Sequence, residues 1–148
     1  MAVEASKMAN VHPDANMARI AHLASLATNS PIALVSILSS TIQWCKASLG
    51  LPIVQTKREW SFCTYTILQS VPFIVEDARR DTRFNTSPLV LAGSKVSFYA
   101  GVALHDRDGM AIGTLCVMDR EPRKLRVAEL DALVDLAAIA SKHLASSE

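Results

Sequence analysis

Two apolar runs joined by a short polar break constrain this chain more than any other stretch: Val96 to Asp119 reads VSFYAGVALHDRDGMAIGTLCVMD. The runs are rich in β-branched and aromatic residues. The break, His105 to Gly109, carries Asp-Gly, the dipeptide that tolerates the positive φ angles of a tight turn, so the stretch is predicted to be a β-hairpin. Pairing Leu104 with Ala111 places Phe98, Ala100, Val102, Leu104, Ala111, Gly113, Leu115 and Val117 on one face, which reads as a core face. The other face collects Ser97, Tyr99, Gly101, Ala103, Ile112, Thr114, Cys116 and Met118, where a small residue beside a Tyr predicts a hollow. Unlike faces imply a sheet covered on both sides, with a pocket on one of them.

The remaining chain supplies partners for that hairpin. Asp14 is placed to cap a helix running to about Ala27, with Met17, Ile20, Ala21, Leu23, Ala24 and Ala27 on one stripe. Ile32 to Leu38, IALVSIL, is apolar almost throughout, as a central strand covered on both faces requires. Ser39-Ser40-Thr41 turns the chain into a returning strand, Gln43 to Leu49, with Cys45, Ala47 and Leu49 on one side and Trp44, Lys46 and Ser48 on the other. Gly50 to Arg58 contains Pro52 and no clean period, so it reads as a loop. Ser61 is a plausible cap for a helix from Phe62 to Gln69, which puts Cys63 in the first turn.

Phe73 to Glu76 is a further strand candidate, and the charged run Asp77 to Phe84 reads as a turn or a single helical turn. Asn85 to Lys95 is expected to be a loop or short helix. A final helix, roughly Val127 to Leu144, carries Leu130, Leu133, Ala137, Ala140 and Leu144 on one stripe, widened by Val134 and Ile139. Residues 1–13 have no strong periodicity and are expected to be a flexible N-terminal segment, leaving 14–148 as one domain.

Bulk properties exclude several function classes. A chain of 148 residues is close to one domain on length, enough to bury roughly 68–70% of its unfolded surface. Fifteen Lys plus Arg against 14 Asp plus Glu leave a net charge of +1, so no strong field steers nucleic acid or an anionic membrane. Cys45, Cys63 and Cys116 are odd in number and without a C-x-x-C pair, which argues against a disulfide framework or a zinc site. No segment approaches the roughly 18 uninterrupted apolar residues of a membrane span, and a cytoplasmic location is expected. The histidines lack the spacing of a metal cluster, and no G-x-S-x-G, P-loop or H-E-x-x-H pattern occurs.

An ordered series of short segments resembles the GAF domain of bacterial signalling proteins and cyclic-nucleotide phosphodiesterases. It comprises PIALVS from Pro31, QWCKA from Gln43, Ser61-Phe62-Cys63, Asp77-Ala78 with Asp81 and Arg83-Phe84, and Pro88-Leu89-Val90. Phe98-Tyr99-Ala100-Gly101 follows, then Gly113 to Val117 with Asp119, Pro122 and Arg123. The chain differs from similar bacterial domains at Cys45, Tyr65 and Ala103. The resemblance implies an α+β fold, GAF/PAS-like: an antiparallel sheet of five or six strands with the terminal helices on one face and a ligand pocket under loops on the other.

Candidate pocket residues are Cys63, Tyr65, Asp77, Asp81, Arg83, Phe84, Tyr99, Gly101, Thr114 and Cys116. Cys63 near a helix N-terminus has its thiolate favoured by the helix dipole, whereas the bland alternative is a small buried hydrophobe. Arg83 offers forked donors to a carboxylate or phosphate, or else pins its loop with Asp81. Tyr65 and Tyr99 offer a stacking face and a hydroxyl, or simply fill the site. Cys116 reads as a core or pocket-wall residue.

The expected function is a non-catalytic sensory module that binds a small molecule and signals through its terminal helices in a homodimer, next to an effector domain in a larger protein. The alternatives are a thiol-based enzyme resembling free methionine sulfoxide reductase, which needs an attacking and a resolving thiol, and a structural dimerisation module. Neither the ligand nor any cofactor is identified from the residues. A bilin pigment lacks its surrounding motifs, and haem lacks a histidine in the pocket.

Overall fold

A computed structural model describes residues 14–38, 42–50, 55–57, 62–69, 71–86, 90 and 95–146. Strands β1 (Ile32–Leu38), β2 (Ile42–Leu49), β3 (Gln55–Lys57), β4 (Phe73–Val75), β5 (Phe98–His105) and β6 (Ala111–Asp119) alternate with helices α1 (Ala15–Thr28), α2 (Phe62–Thr66) and α3 (Val127–Ser146), and a 3-10 turn spans Ala78–Arg80. The strands form one antiparallel sheet in the order β3-β2-β1-β6-β5-β4. All seven residues of β1 are buried, as its apolar run requires of a strand bonded on both edges and covered on both faces. None of the described helices is long and apolar enough to cross a membrane.

The hairpin of β5 and β6 is closed by Asp106, whose carboxylate accepts from the backbone N–H groups of Asp108 at 2.9 Å and Met110 at 3.0 Å, while Gly109 sits at φ +80°. Its register corrects the sequence expectation. Leu104 lies opposite Gly113, not Ala111, and His105 lies opposite Ala111, so Ile112 is the extra residue of a bulge. The shift of two residues keeps the faces of 98–104 and 113–118. Ile112 changes sides and packs with Leu104, Leu115 and Val117.

A second bulge corrects β2. Ser36 pairs with Cys45 and Val35 with Ala47, so Lys46 is extra, and Cys45 and Ala47 serve opposite faces instead of sharing one. Gln55–Lys57, read from the sequence as part of a loop, is an edge strand on β2. A three-residue strand is too short to show a period.

Helices α1 and α3 cover one face. Asp14 caps α1, accepting from the N–H groups of Asn16 and Met17. The buried stripe is Met17, Ile20, Ala21, Ala24 and Thr28, whereas Leu23 and Ala27, expected on it, are exposed. Thr28 takes its place at the end of the stripe because its hydroxyl back-bonds to the Ala24 carbonyl at 2.7 Å. In α3, Leu133, Ala137, Ala140 and Leu144 are buried as expected, but Leu130 is only half-buried and Glu129 goes under in the first turn. The Glu129 carboxylate accepts from the Arg126 N–H at 2.9 Å, which meets its polar requirement.

The helices run antiparallel. His143 near the end of α3 bonds Asp14 at the start of α1, 3.1 Å apart. At the other end, Arg123 donates to the Thr28 carbonyl at 2.8 Å and to the Ser30 hydroxyl at 2.9 Å. The expected cap Ser61, the turn Ser39-Ser40-Thr41, residues 1–13 and most of the Asn85 to Lys95 stretch lie outside the described residues; α2 ends at Thr66, short of the expected Gln69.

Candidate functional site

The sheet face away from α1 and α3 carries the chemistry. Cys63 comes from α2, Tyr99 and Gly101 from β5, and Thr114 and Cys116 from β6. Antiparallel pairing sets Gly101 opposite Cys116 and Ala103 opposite Thr114. Cys63, Thr66, Tyr99, Thr114 and Cys116 are each 2% exposed or less. Five polar or thiol side chains packed inside one layer need partners, and they find them in each other. Thr114 Oγ1 donates to Cys63 Sγ at 2.9 Å, Tyr99 Oη reaches the same sulfur at 3.5 Å, and the Thr66 and Tyr99 hydroxyls lie 2.7 Å apart.

Gly101 makes this network possible. Tyr99 and Gly101 sit on the same face two residues apart, and the Tyr99 ring folds back over Gly101, where a Cβ would meet its hydroxyl. The small residue beside Tyr99 thus receives the ring, and the hollow expected there is filled by Tyr99 itself.

The segment from α2 to Phe84 lies over the network through an aromatic layer. Phe62 lies 4.8 Å from Tyr99 and 4.4 Å from Phe84, and Tyr65 meets Phe84 edge-on at 4.9 Å. Arg83 spreads its guanidinium over Phe73, Phe84 and Tyr65 at 5.1, 5.3 and 5.8 Å. Asp81 holds it there through two bonds of 3.0 and 2.6 Å and also accepts from the Arg83 N–H at 2.9 Å. Asp77 accepts from the Arg79 N–H at 3.1 Å and starts the 3-10 turn. The structure therefore brings Cys63, Tyr99, Gly101, Thr114 and Cys116 together inside, with Tyr65, Phe84 and Arg83 above them. Asp77 and Asp81 shape the covering segment.

Electrostatics follow burial. The Arg83 guanidinium holds the Asp81 carboxyl below the usual range, and the Arg79 side chain does the same for Asp77. Burial pushes the Tyr99 phenol well up, with Cys63 and Cys116 adding to it. The hydrogen bond with Cys63, then burial, raises the Cys116 thiol well above its ordinary value, and burial pushes Cys45 up to about 11. All three cysteines are free and buried. Among the described residues no group of three His, Cys, Asp or Glu side chains is placed to hold a metal ion.

A concavity of about 440 Å³ opens outside this layer and is lined by Arg79, Asn85, Val90, Lys95, Ser97 and Arg120. No spacing in the sequence groups these residues. Ser97 immediately precedes β5 and Arg120 immediately follows β6, so hairpin pairing brings the chain ends together, with Ser97 N–H bonded to the Asp119 carbonyl at 2.9 Å.

A family model described as GAF domain matches residues 12–144. A cyclic di-GMP phosphodiesterase from Pseudomonas aeruginosa is 50% identical over 94 residues, which is 64% of this chain and only 16% of that enzyme's length. Among solved structures, the GAF domain of an Acinetobacter phosphoenolpyruvate-protein phosphotransferase matches with TM-score 0.71 at 19% identity, covering 88% of this chain and 80% of the other. The free methionine-R-sulfoxide reductase of Neisseria meningitidis, solved with its substrate, matches with TM-score 0.71 at 17% identity, covering 90% and 79%. At such identities the two structures share the fold with this chain, and nothing finer follows from them.

Proposed function

Since the chain belongs to the GAF domain family, we propose that it is a non-catalytic sensory module. It binds a small molecule beneath the segment from Phe62 to Phe84 and signals through α1 and α3 in a homodimer. The observation that carries this reading is the inequality of the two sheet faces. One is sealed by two long helices over mostly aliphatic side chains; the other keeps hydroxyls and thiols in its interior under a segment whose described regular elements are one five-residue helix, the three-residue edge strand β4 and one 3-10 turn. A segment tied to the sheet by a single three-residue ladder opens at low cost on either side of it. A ligand entering there exchanges its own hydrogen bonds for those among Cys63, Thr66, Tyr99 and Thr114.

Output through the helices is supported by the apolar residues they leave exposed: Leu23 and Leu26 on α1, Val134 and Ile139 on α3. A second copy covering them couples the segment's movement to an attached effector. The effector belongs to a larger signalling protein, for which the cyclic di-GMP phosphodiesterase activity of the relative is one model. Residues 14–148 act as the single domain in this reading, which places it in the cytoplasm.

The test is native mass spectrometry of fresh protein beside the same sample denatured. A small mass on a dimer, lost on denaturation, is expected. A bare monomer at high concentration overturns both halves of the proposal. A bare dimer instead supports a structural dimerisation module.

One observation favours a second reading. Cys63 and Cys116 share a hydrogen bond, with Cys45 in the same buried cluster, as an attacking and resolving pair of a sulfoxide reductase requires. The raised thiols of Cys45 and Cys116 weigh against it, because the thiolate is the nucleophile. Rapid alkylation of the folded protein at neutral pH, with turnover of methionine sulfoxide, is the result that supports the enzyme.

A further inference from the structure

We propose that Cys63 and Cys116 are a dithiol that peroxide oxidises to an intramolecular disulfide, which fastens α2 to β6. This goes beyond the sensory reading, because the bond needs neither a ligand nor a second copy. It also differs from the sulfoxide reductase reading, because the disulfide is the end state and holds the covering segment shut.

Geometry is the first argument. The Tyr99 hydroxyl stands over Gly101, where a Cβ would meet it, and Gly101 lies directly opposite Cys116. Directly opposed residues keep their Cβ positions about 5 Å apart on one face, so the hydroxyl stands beside the Cys116 side chain. The same hydroxyl donates to Cys63 Sγ at 3.5 Å, and Thr114, on that face of β6, donates to it at 2.9 Å. These bonds hold the Cys63 sulfur over β6, in hydrogen-bond contact with Cys116. Both thiols are free and 2% exposed or less. Side-chain rotation with a small shift of α2 brings two such sulfurs to the S–S bond length of about 2.05 Å.

Cys45 is not a partner for Cys116. It pairs with Ser36 on β1, and Ser36 pairs with Thr114 on β6, so two strand spacings, about 9–10 Å, separate Cys45 from β6. A disulfide needs Cα atoms within about 7 Å. The Cys45 thiol donates instead to the Ala47 carbonyl at 3.1 Å.

The second argument is chemical. Two hydroxyl donors aimed at Cys63 Sγ suit that sulfur to carry negative charge, whereas Cys116 keeps its proton, its thiol raised by the bond to Cys63 and by burial. Cys63 therefore attacks first, when the covering segment opens. Its thiolate takes one oxygen of hydrogen peroxide, the O–O bond breaks, and the departing hydroxide leaves as water with the proton Cys63 lost, so that Cys63 becomes a sulfenic acid. The Cys116 sulfur then attacks the Cys63 sulfur. The S–S bond forms, the S–O bond breaks, and the hydroxyl leaves with the Cys116 proton as a second water. Two thiols have given two electrons to one peroxide, and a dithiol reductant restores them.

The experiment treats the reduced 148-residue chain with a small excess of hydrogen peroxide, alkylates the remaining thiols in denaturant, and maps the non-reduced tryptic peptides, in which each cysteine has a peptide of its own. Expected are one peptide pair linked through Cys63 and Cys116, alkylated Cys45, and reversal by dithiothreitol. Hydrogen exchange at the α2 amides is expected to slow tenfold or more in the oxidised chain. Cys116→Ser is expected to leave Cys63 as a sulfenic acid that dimedone captures, and Cys45→Ser to form the bond as the wild type does. Three alkylated cysteines after peroxide, a link through Cys45, or a bond between two chains overturns the proposal, and unchanged exchange in α2 overturns the fastening. Free methionine sulfoxide that forms the bond as fast as peroxide overturns the switch in favour of the reductase. The wild-type map decides the pairing even where a variant fails to fold. The native-mass test uses reduced protein and no oxidant, so failure here is separate from failure of the sensory reading.

Discussion

At the scale of single residues, Gly101 and Tyr99 decide how the loop-side interior is filled. A methyl at Gly101 meets the Tyr99 hydroxyl, which is pinned by Thr66 at 2.7 Å. Gly101→Ala is expected to cost about 1–3 kcal/mol in urea unfolding, the range for overpacking a core. Combined with Tyr99→Phe it costs less than the sum of the two changes, because the methyl meets the phenolic oxygen first; strict additivity counts against the packing account. Asp81 supplies the pH dependence. Its folded pKa lies below the unfolded value because Arg83 bonds the carboxylate, so its contribution is present above about pH 4 and is lost as pH falls through the folded value. The pair is partly exposed and screened, so the effect is modest. In melting curves from pH 7 to pH 2.5, Asp81→Asn is expected to flatten part of the acid decline.

Among the elements, Arg123 ties the end of α1 to the start of α3 and to the central hairpin. It donates to the last carbonyls of α1 and to Ser30, reaches Asp119 at 3.7 Å and Glu129 at 3.9 Å, and lies 5.6 Å from the Phe98 ring. Its charge also sits at the negative end of the α1 dipole. Arg123→Ala is expected to cost about 2 kcal/mol, as charged hydrogen bonds of this kind do, with Arg123→Lys recovering only part because it lacks the fork. A loss below half a kcal/mol in chemical denaturation sinks this account. The helices and every strand but β3 were legible in the sequence; β3 and the two bulges at Lys46 and Ile112 were not. A bulge follows from how two distant strands settle their registers, and each moved a residue across the sheet without altering the local pattern.

For the molecule as a whole, the exposed apolar residues of α1 and α3 set the assembly prediction. Leu26 is 65% exposed and Ile139 56%. Leu26→Glu with Ile139→Glu is expected to leave the circular dichroism spectrum and melting temperature nearly unchanged while shifting sedimentation to a monomer. A wild-type chain that already sediments as a monomer removes the dimer.

The sequence by itself determined the order of the elements apart from β3, the doubly covered β1, the Asp-Gly hairpin, the Asp14 cap and the family. Each of these rests on local pattern, which side-chain period and turn chemistry write directly into neighbouring residues. Only the tertiary structure decided that Cys63, Tyr99 and Thr114 satisfy one another and that Arg83 lies across the aromatic rings. It alone brought Arg79, Lys95 and Arg120 to a single concavity. Such residues are tens of positions apart, and no short-range period relates them. Their meeting depends on strand register and on how the covering segment packs.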